Sequence, residues 1–280
     1  MGADAVADDD TKLQAGAVQA GAVQAGAVQA GAVQAGAPMK VAIVHYWLVS
    51  QRGGERVLEA LLDMYPDADI YTHVLDESAV STRISSRVVS TSFISRLPRA
   101  KKWYPWYLPL MPLALGLLDL RDYDLIVTAE SGPAKGFRKS PAAVHVCYCH
   151  SPMRYLWDQQ AVYLARFNPL LRLMLKPVVA MLRYWDVRTA ASVDAIACNS
   201  RYVQARVKRY WRRESTVVYP PVDIERFSLS SRDDGYYLYL GQLTDYKQPA
   251  ALVQAFNRSG KALIIAGEGE LLERLQHAAA

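Results

Sequence analysis

From residue 40 onward, short apolar runs of strand length alternate with longer stretches in which apolar residues recur every three or four positions. The runs cover 41–44, 69–73, 125–128, 143–148, 195–198, 216–218, 236–240 and 262–266. They are apolar at nearly every position rather than at every second one, as expected of strands covered on both faces in a parallel sheet. Helical periodicity fills 54–64, 168–191, 202–211, 249–257 and 270–277. This alternation predicts an α/β chain built on a doubly wound, Rossmann-like sheet.

Two places interrupt the pattern. Pro220, Pro221, Val222 and Asp223 lead into a polar stretch at 228–234, which reads as a linker, and the alternation restarts at Tyr236. A first domain is therefore expected over 39–227. A second unit over 228–280, with about two strands and two helices, reads as an incomplete domain with an unpaired sheet edge. At the other end, 15–34 are four copies of AGAVQ followed by AGAP. A period of five fits neither helix nor strand, and valine is the only large side chain in the unit. Residues 1–38 are predicted to be a disordered tail, with the folded part starting at Met39.

Composition narrows the class. The chain has 280 residues, 51% hydrophobic and 21% charged, which is a globular balance. A net charge of +5 is too weak to indicate nucleic acid, and no nucleic-acid-binding module is present. Three cysteines are too few for a disulfide framework and suit a reducing, cytoplasmic setting. The acidic start MGADAVADDD lacks the basic and apolar regions of a signal peptide. The most apolar stretch, 103–118, is interrupted by Pro105, Pro109 and Pro112 and cannot span a bilayer, which needs about 20 residues.

Ligands of an open parallel sheet sit at the carboxyl ends of its strands. There the sequence places His45, Tyr46 and Trp47, followed by Gly53, Gly54, Glu55 and Arg56 at the start of a helix. Paired glycines at a helix N-terminus let backbone N–H groups approach a phosphate or sugar oxygen; a plain strand–helix turn explains them equally well. Other strands end in Glu130 and Ser131, in His150, Ser151, Pro152 and Arg154, and in Asn199, Ser200 and Arg201. Asn199 and Ser200 also suit the N-cap of the helix that follows. Cys147, Cys149 and His150 do not form a zinc site on this reading, because consecutive strand residues face opposite ways. The triplets 67–69 and 122–124, each Asp-x-Asp, lie at the amino edge and read as helix-to-strand turns. No metal is required.

Four blocks carry a family resemblance: KVAIVHYWLVSQRGGERVLEAL (40–61), CYCHSPMRYLWD (147–158), ACNSRYVQARVKRYWRRESTVVYPPVDIERF (197–227), and YLGQLTDYKQ (239–248) with IIAGEGEL (264–271). Through them the chain resembles bacterial retaining glycosyltransferases of family 4, particularly mannosyltransferase-like members of polysaccharide assembly. The resemblance implies a GT-B architecture, with an acceptor-side Rossmann-like domain and the beginning of a nucleotide-sugar-binding one. It also implies a transferase that needs neither metal nor cofactor, since the nucleotide-sugar donor is a substrate. By the same resemblance, His150 would hydrogen-bond the transferred sugar near the reacting carbon. Gly53 and Gly54 would approach donor phosphates or acceptor, and Lys247 would pair with the donor diphosphate and stabilise the leaving group. From their place at the strand ends rather than from the resemblance, His45, Glu130, Ser131, Arg154, Asn199 and Arg201 are expected to complete the substrate contacts.

Two departures accompany the resemblance. Family members commonly read G-R-L-x-x-x-K, whereas this chain has Gln242, which donates a hydrogen bond without charge. The family's paired glutamates, E-x7-E, have no counterpart up to residue 280, so the resemblance implies a chain poorly active alone. The alternative is a non-catalytic remnant that folds and binds acceptor or membrane. A nucleotide-sugar epimerase or dehydrogenase would show G-x-G-x-x-G after the first strand, and 45–56 does not. Arg96, Arg99, Lys101 and Lys102 precede Trp103, Tyr104, Trp106 and Tyr107, a mixture suited to peripheral contact with an anionic membrane face. The basic run at 201–213 fits that contact or a solvated helix face.

Overall fold

The computed structural model describes residues 39–229 and 231–279; the tail predicted over 1–38 lies outside them. The chain divides into two compact units between Pro221 and Val222. The break falls directly after the double proline, a few residues ahead of the boundary expected from the polar stretch.

The first unit is built on strands β1 (Val41–His45), β2 (Asp69–Thr72), β3 (Val88–Thr91), β5 (Leu125–Glu130), β7 (Val144–Cys149), β8 (Ala195–Cys198) and β9 (Thr216–Val217). They form one sheet in the order β3-β2-β1-β5-β7-β8-β9, every pairing parallel. A separate small pair joins β4 (Asp119–Leu120) to β6 (Arg138–Lys139). Successive residues of β1 feed opposite faces. Ile43 packs with Leu58, Leu62, Ile70 and Val127 beneath the helix α1 (Gly53–Met64). Ala42 and Val44 pack with Leu115, Leu120, Tyr123 and Ile126 on the other side. All five residues of β1 are buried, which is why this strand reads as continuously apolar. The unit is an α/β, Rossmann-like fold.

The segment between β2 and β5 is where the sequence pattern was silent. Its prolines and short apolar clusters give brief elements only: α2 (Thr82–Ser85), α3 (Ala100–Trp103), a 3₁₀ stretch over Tyr104–Leu110, and α4 (Met111–Gly116). Pro105 and Pro109 remove the donors a longer helix needs, so the chain turns in tight steps. After β7 come α5 (Gln160–Leu164) and the long α6 (Pro169–Ala190). Asn168 Oδ1 caps α6 by accepting from Leu171 N at 2.8 Å. Helix α7 (Arg201–Trp211) is capped in the same way by Ser200 Oγ, which accepts from Val203 N. No helix among the described residues is long and apolar enough to cross a membrane.

The second unit pairs β10 (Tyr237–Leu240) with β11 (Leu263–Ala266) in parallel, flanked by α8 (Pro249–Ser259) and α9 (Leu272–Ala278). Its core is small: Leu243, Val253, Leu271 and Leu275, with Tyr239, Ala250 and Ile265 against them.

Candidate functional site

Strand order in the first unit reverses direction between β1 and β5, because the chain builds outward from β1 to β3 and then crosses to β5. The carboxyl ends at such a switch point leave a crevice for ligand. Side chains from three elements meet there. His45 ends β1, and its ring stacks on Tyr46 at 4.3 Å between centroids. Glu55, in the first turn of α1, brings Oε1 to 3.5 Å from His45 Nε2, and its Oε2 accepts from Arg52 N at 2.7 Å. One carboxylate thus ties the helix start to the strand end. Burial works against the Glu55 anion, yet His45 and the backbone amides outweigh that and hold its carboxyl below the usual range.

His150 follows β7, and its backbone N donates to the Glu130 carbonyl at 2.8 Å. Its own carbonyl accepts from Asn199 Nδ2 at 3.1 Å, which fixes the loop after β7 to the loop after β8. The His150 Nε2 atom is buried and has no hydrogen-bond partner among the described residues. Burial, with His45 nearby, depresses the ring pKa to about 4, so the imidazole is neutral at pH 7. A neutral ring can donate to or accept from a sugar hydroxyl without bringing a cation.

Gly54 completes the cluster by lacking a side chain. A Cβ there would stand 3.2 Å from the Tyr46 hydroxyl and 3.7 Å from both His150 Nε2 and His45 Cε1. The α1 backbone therefore comes close to both polar atoms. Gly53 faces open space. Ser131, at the end of β5, hydrogen-bonds Tyr46, whose hydroxyl burial pushes up to about 12 and keeps protonated. Gly132 lets the same loop press on Trp47, where a Cβ would meet the indole at 2.9 Å.

In the second unit, the loops after β10 and β11 are laced together. Gly241 N donates to Ala266 O at 3.0 Å, and Leu243 N donates to Glu268 O at 2.8 Å. A Cβ on Gly267 would fall 1.8 Å from Gly241 O, so this approach requires glycine. Lys247 ends the 3₁₀ turn Asp245–Lys247 and is exposed; its Nζ lies 3.3 Å from where a Gly241 Cβ would be. Gln242 is half-buried, and its carbonyl accepts from the Tyr239 hydroxyl at 3.2 Å.

Residues 51–226 match the model of the family described as Glycosyltransferase Family 4. The chain belongs to glycosyltransferase family 4. No curated protein matches it. The matched stretch carries α1 with its paired glycines, His150, and the capped start of α7, so the family-4 region contains most of the cluster at the switch point.

Of the residues singled out in this family-4 chain, the structure gathers His45, Gly54, Ser131 and His150, with Asn199 holding the His150 loop. Arg154 and Arg201 are exposed and stand outside that cluster. Glu130 differs most from expectation. Its side chain turns inward, wholly buried, and forms an ion pair with Lys135, which also reaches Asp186 Oδ1 at 3.1 Å. It is a core carboxylate rather than a substrate contact.

Asp186 in turn accepts from Trp157 Nε1 at 2.9 Å and Trp211 Nε1 at 2.8 Å, and the Lys135 ammonium lies over the Trp211 ring. Burial drives the Glu130 carboxyl up to about 7 against the pull of Lys135. Burial also disfavours the Lys135 ammonium, but the two carboxylates outweigh that and keep it charged. Pattern reading placed Tyr46 and Glu55 at the ligand edge without giving them a role, and missed Lys135 and Asp186 altogether. Glu55 had a visible signal, as the acid in the first turn after two glycines. Lys135 and Asp186 lie 51 residues apart and had none.

Proposed function

We propose that this family-4 chain carries the acceptor-side half of a retaining transferase that moves a hexose from a nucleoside-diphosphate sugar to a glycan or lipid-linked acceptor in polysaccharide or glycoconjugate synthesis. Mannose is the first sugar to try. The observation that carries the reading is His150 Nε2, a buried, neutral and unpartnered ring nitrogen beside Gly54 and the Tyr46 hydroxyl at the switch point. A buried polar atom left without a partner is costly, and a sugar hydroxyl supplies one. Lys247 and Gln242 would meet the diphosphate: Lys247 neutralises the leaving group, and Gln242 adds a hydrogen bond without a second charge. The chemistry calls on no cofactor. A lipid-linked acceptor would be reached by peripheral contact at the inner face of the membrane.

The test is turnover of a panel of nucleotide sugars by the purified chain with membrane-extracted acceptor. His150→Ala should lower turnover at least about 100-fold with an unchanged circular-dichroism spectrum, and His150→Gln, which keeps a hydrogen bond, should recover part of it. Equal turnover by wild type and His150→Ala would remove His150 from the reaction. Absence both of turnover and of saturable nucleotide-sugar binding with every donor would overturn the catalytic reading. It would leave a chain that binds acceptor or membrane without transferring sugar.

A further inference from the structure

The first unit exposes an unusual amount of large apolar surface, concentrated in two segments distant in sequence. One is Trp103, Trp106, Leu110, Leu113 and Leu117, between 39% and 63% exposed. The second lies on α5 and α6. Helix α6 buries Val179, Leu182, Asp186 and Ala190 on one face, yet Leu170, Leu173, Met174, Met181 and Tyr184 stay 47–69% exposed. At 100° per residue these five fall within one stripe, opposite the buried face. A soluble surface helix is expected to be polar there. The segments meet in space: Trp106 packs edge-on against Phe167 at 5.6 Å, and Leu108 packs against the cluster of Met153, Leu156, Val179 and Leu182.

The charge pattern identifies the partner. No Asp or Glu occurs between Glu77 and Asp119, nor between Asp158 and Asp186. Those intervals hold six and four cations respectively: Arg83, Arg87, Arg96, Arg99, Lys101 and Lys102, then Arg166, Arg172, Lys176 and Arg183. Arg99 lies over the Trp103 ring at 5.1 Å, and Arg166 over Tyr163 at 6.0 Å, so cation and aromatic group sit side by side. Lys101 is paired with Asp76 at 3.0 Å, whereas Lys102, Arg166 and Lys176 are exposed and make no ion pair among the described residues. Apolar side chains beside such cations and amphipathic aromatics match a bilayer surface: acyl chains receive the leucines and methionines, and anionic headgroups receive the cations.

We propose that the face formed by residues 99–117 and the exposed stripe of α6 docks this unit on an anionic membrane. Trp106, Leu170, Leu173 and Met174 enter the headgroup–acyl boundary, and Lys102, Arg166 and Lys176 pair with lipid phosphates. No segment spans. The proposal stands on this surface alone and survives failure of the transferase reading.

The test is co-sedimentation of the full chain with vesicles of phosphatidylcholine alone and of equal parts phosphatidylcholine and phosphatidylglycerol. Binding is expected to the anionic vesicles only and to weaken with salt. Lys102→Glu, Arg166→Glu and Lys176→Glu together should lower partitioning by about 100-fold, since each cation contributes about fivefold and reversal adds repulsion. Trp106→Ser with Leu170→Ser and Met174→Ser should abolish binding. Because all six positions are exposed, an unchanged melting temperature shows that the fold is kept. Equal binding to both vesicle types, or no loss in either variant, would overturn the proposal. So would a concentration-dependent dimer without lipid that the serine variant disrupts, because a second copy would then be the occupant.

Discussion

The two parallel sheets of this chain start from similar strands and end in different environments. In the first unit β1 reads VAIVH and is buried at all five positions, and β5 is buried at five of its six. In the second, β10 reads YLYL and has no buried position; Leu238 is 58% exposed and Leu240 78% exposed. Tyr239 and Ile265 turn towards α8 and α9, while Leu238, Leu240 and Ile264 point the other way. An apolar run therefore declares that a strand can be covered on both faces. Whether it is covered depends on what packs against it. The wide sheet has helices on each face, and the two-stranded sheet has a core on one.

Four measurements would break or sharpen that contrast. The largest expected effect is acidic. Burial lowers the pKa of His73 and His150 to about 4 and of His145 to about 3, and all three lie in the first unit. Folded-state values below the unfolded value mean that the unfolded chain binds the protons. The stability these neutral rings contribute is therefore complete above about pH 6.5 and is lost as pH falls towards 4. The loss should amount to several kcal/mol on the order of magnitude set by such shifts. Hydrogen exchange at pH 7 and pH 4.5 should show protection falling across β1, β5 and β7. Unchanged protection there would mean that the histidines are solvated at neutral pH.

Next is the buried ion network. Lys135→Met leaves Glu130 and Asp186 enclosed without their cation, so urea unfolding of the first unit should lose about 3–5 kcal/mol. A loss under about 1 kcal/mol would show that the carboxyls are already protonated. Leu58→Ala removes a fully buried side chain beneath α1 and should cost about 2–5 kcal/mol. Its counterpart, Leu238→Ala on the bare face of β10, should change stability by about 0.5 kcal/mol or less. If Leu238→Ala cost as much as Leu58→Ala, the outer face of β10 would be covered in solution, and the contrast would collapse.

The site was partly legible. Strand-end reasoning located His45, Ser131 and His150, because carboxyl ends of parallel strands line one edge whatever the side chains do. It also led to Gly54, though not to the reason: only the folded chain shows the Tyr46 hydroxyl and His150 Nε2 beside the missing Cβ. Glu130 was misplaced because position at a strand end does not say which way a side chain turns. Its backbone carbonyl serves the site by holding His150 N, while its carboxylate goes inward to a lysine five residues on. Residues 77–116 carried no usable periodicity, since elements of three to seven residues are too short for a period to repeat often enough to reveal them.

By itself, the sequence determined the α/β class, the main strands and helices, and the sheet edge that carries His45, Ser131 and His150; it put the domain boundary a few residues past Pro221, where the chain divides. Those follow from local spacing and from proline and glycine geometry, which need no knowledge of the partner segments. Only the tertiary structure decided that Glu130, Lys135 and Asp186 form one buried network, that Glu55 ties α1 to His45, and that the leucines of 103–117 join the stripe on α6. Each of these is a meeting of residues far apart in the chain, and burial, charge pairing and exposure belong to the meeting rather than to either segment.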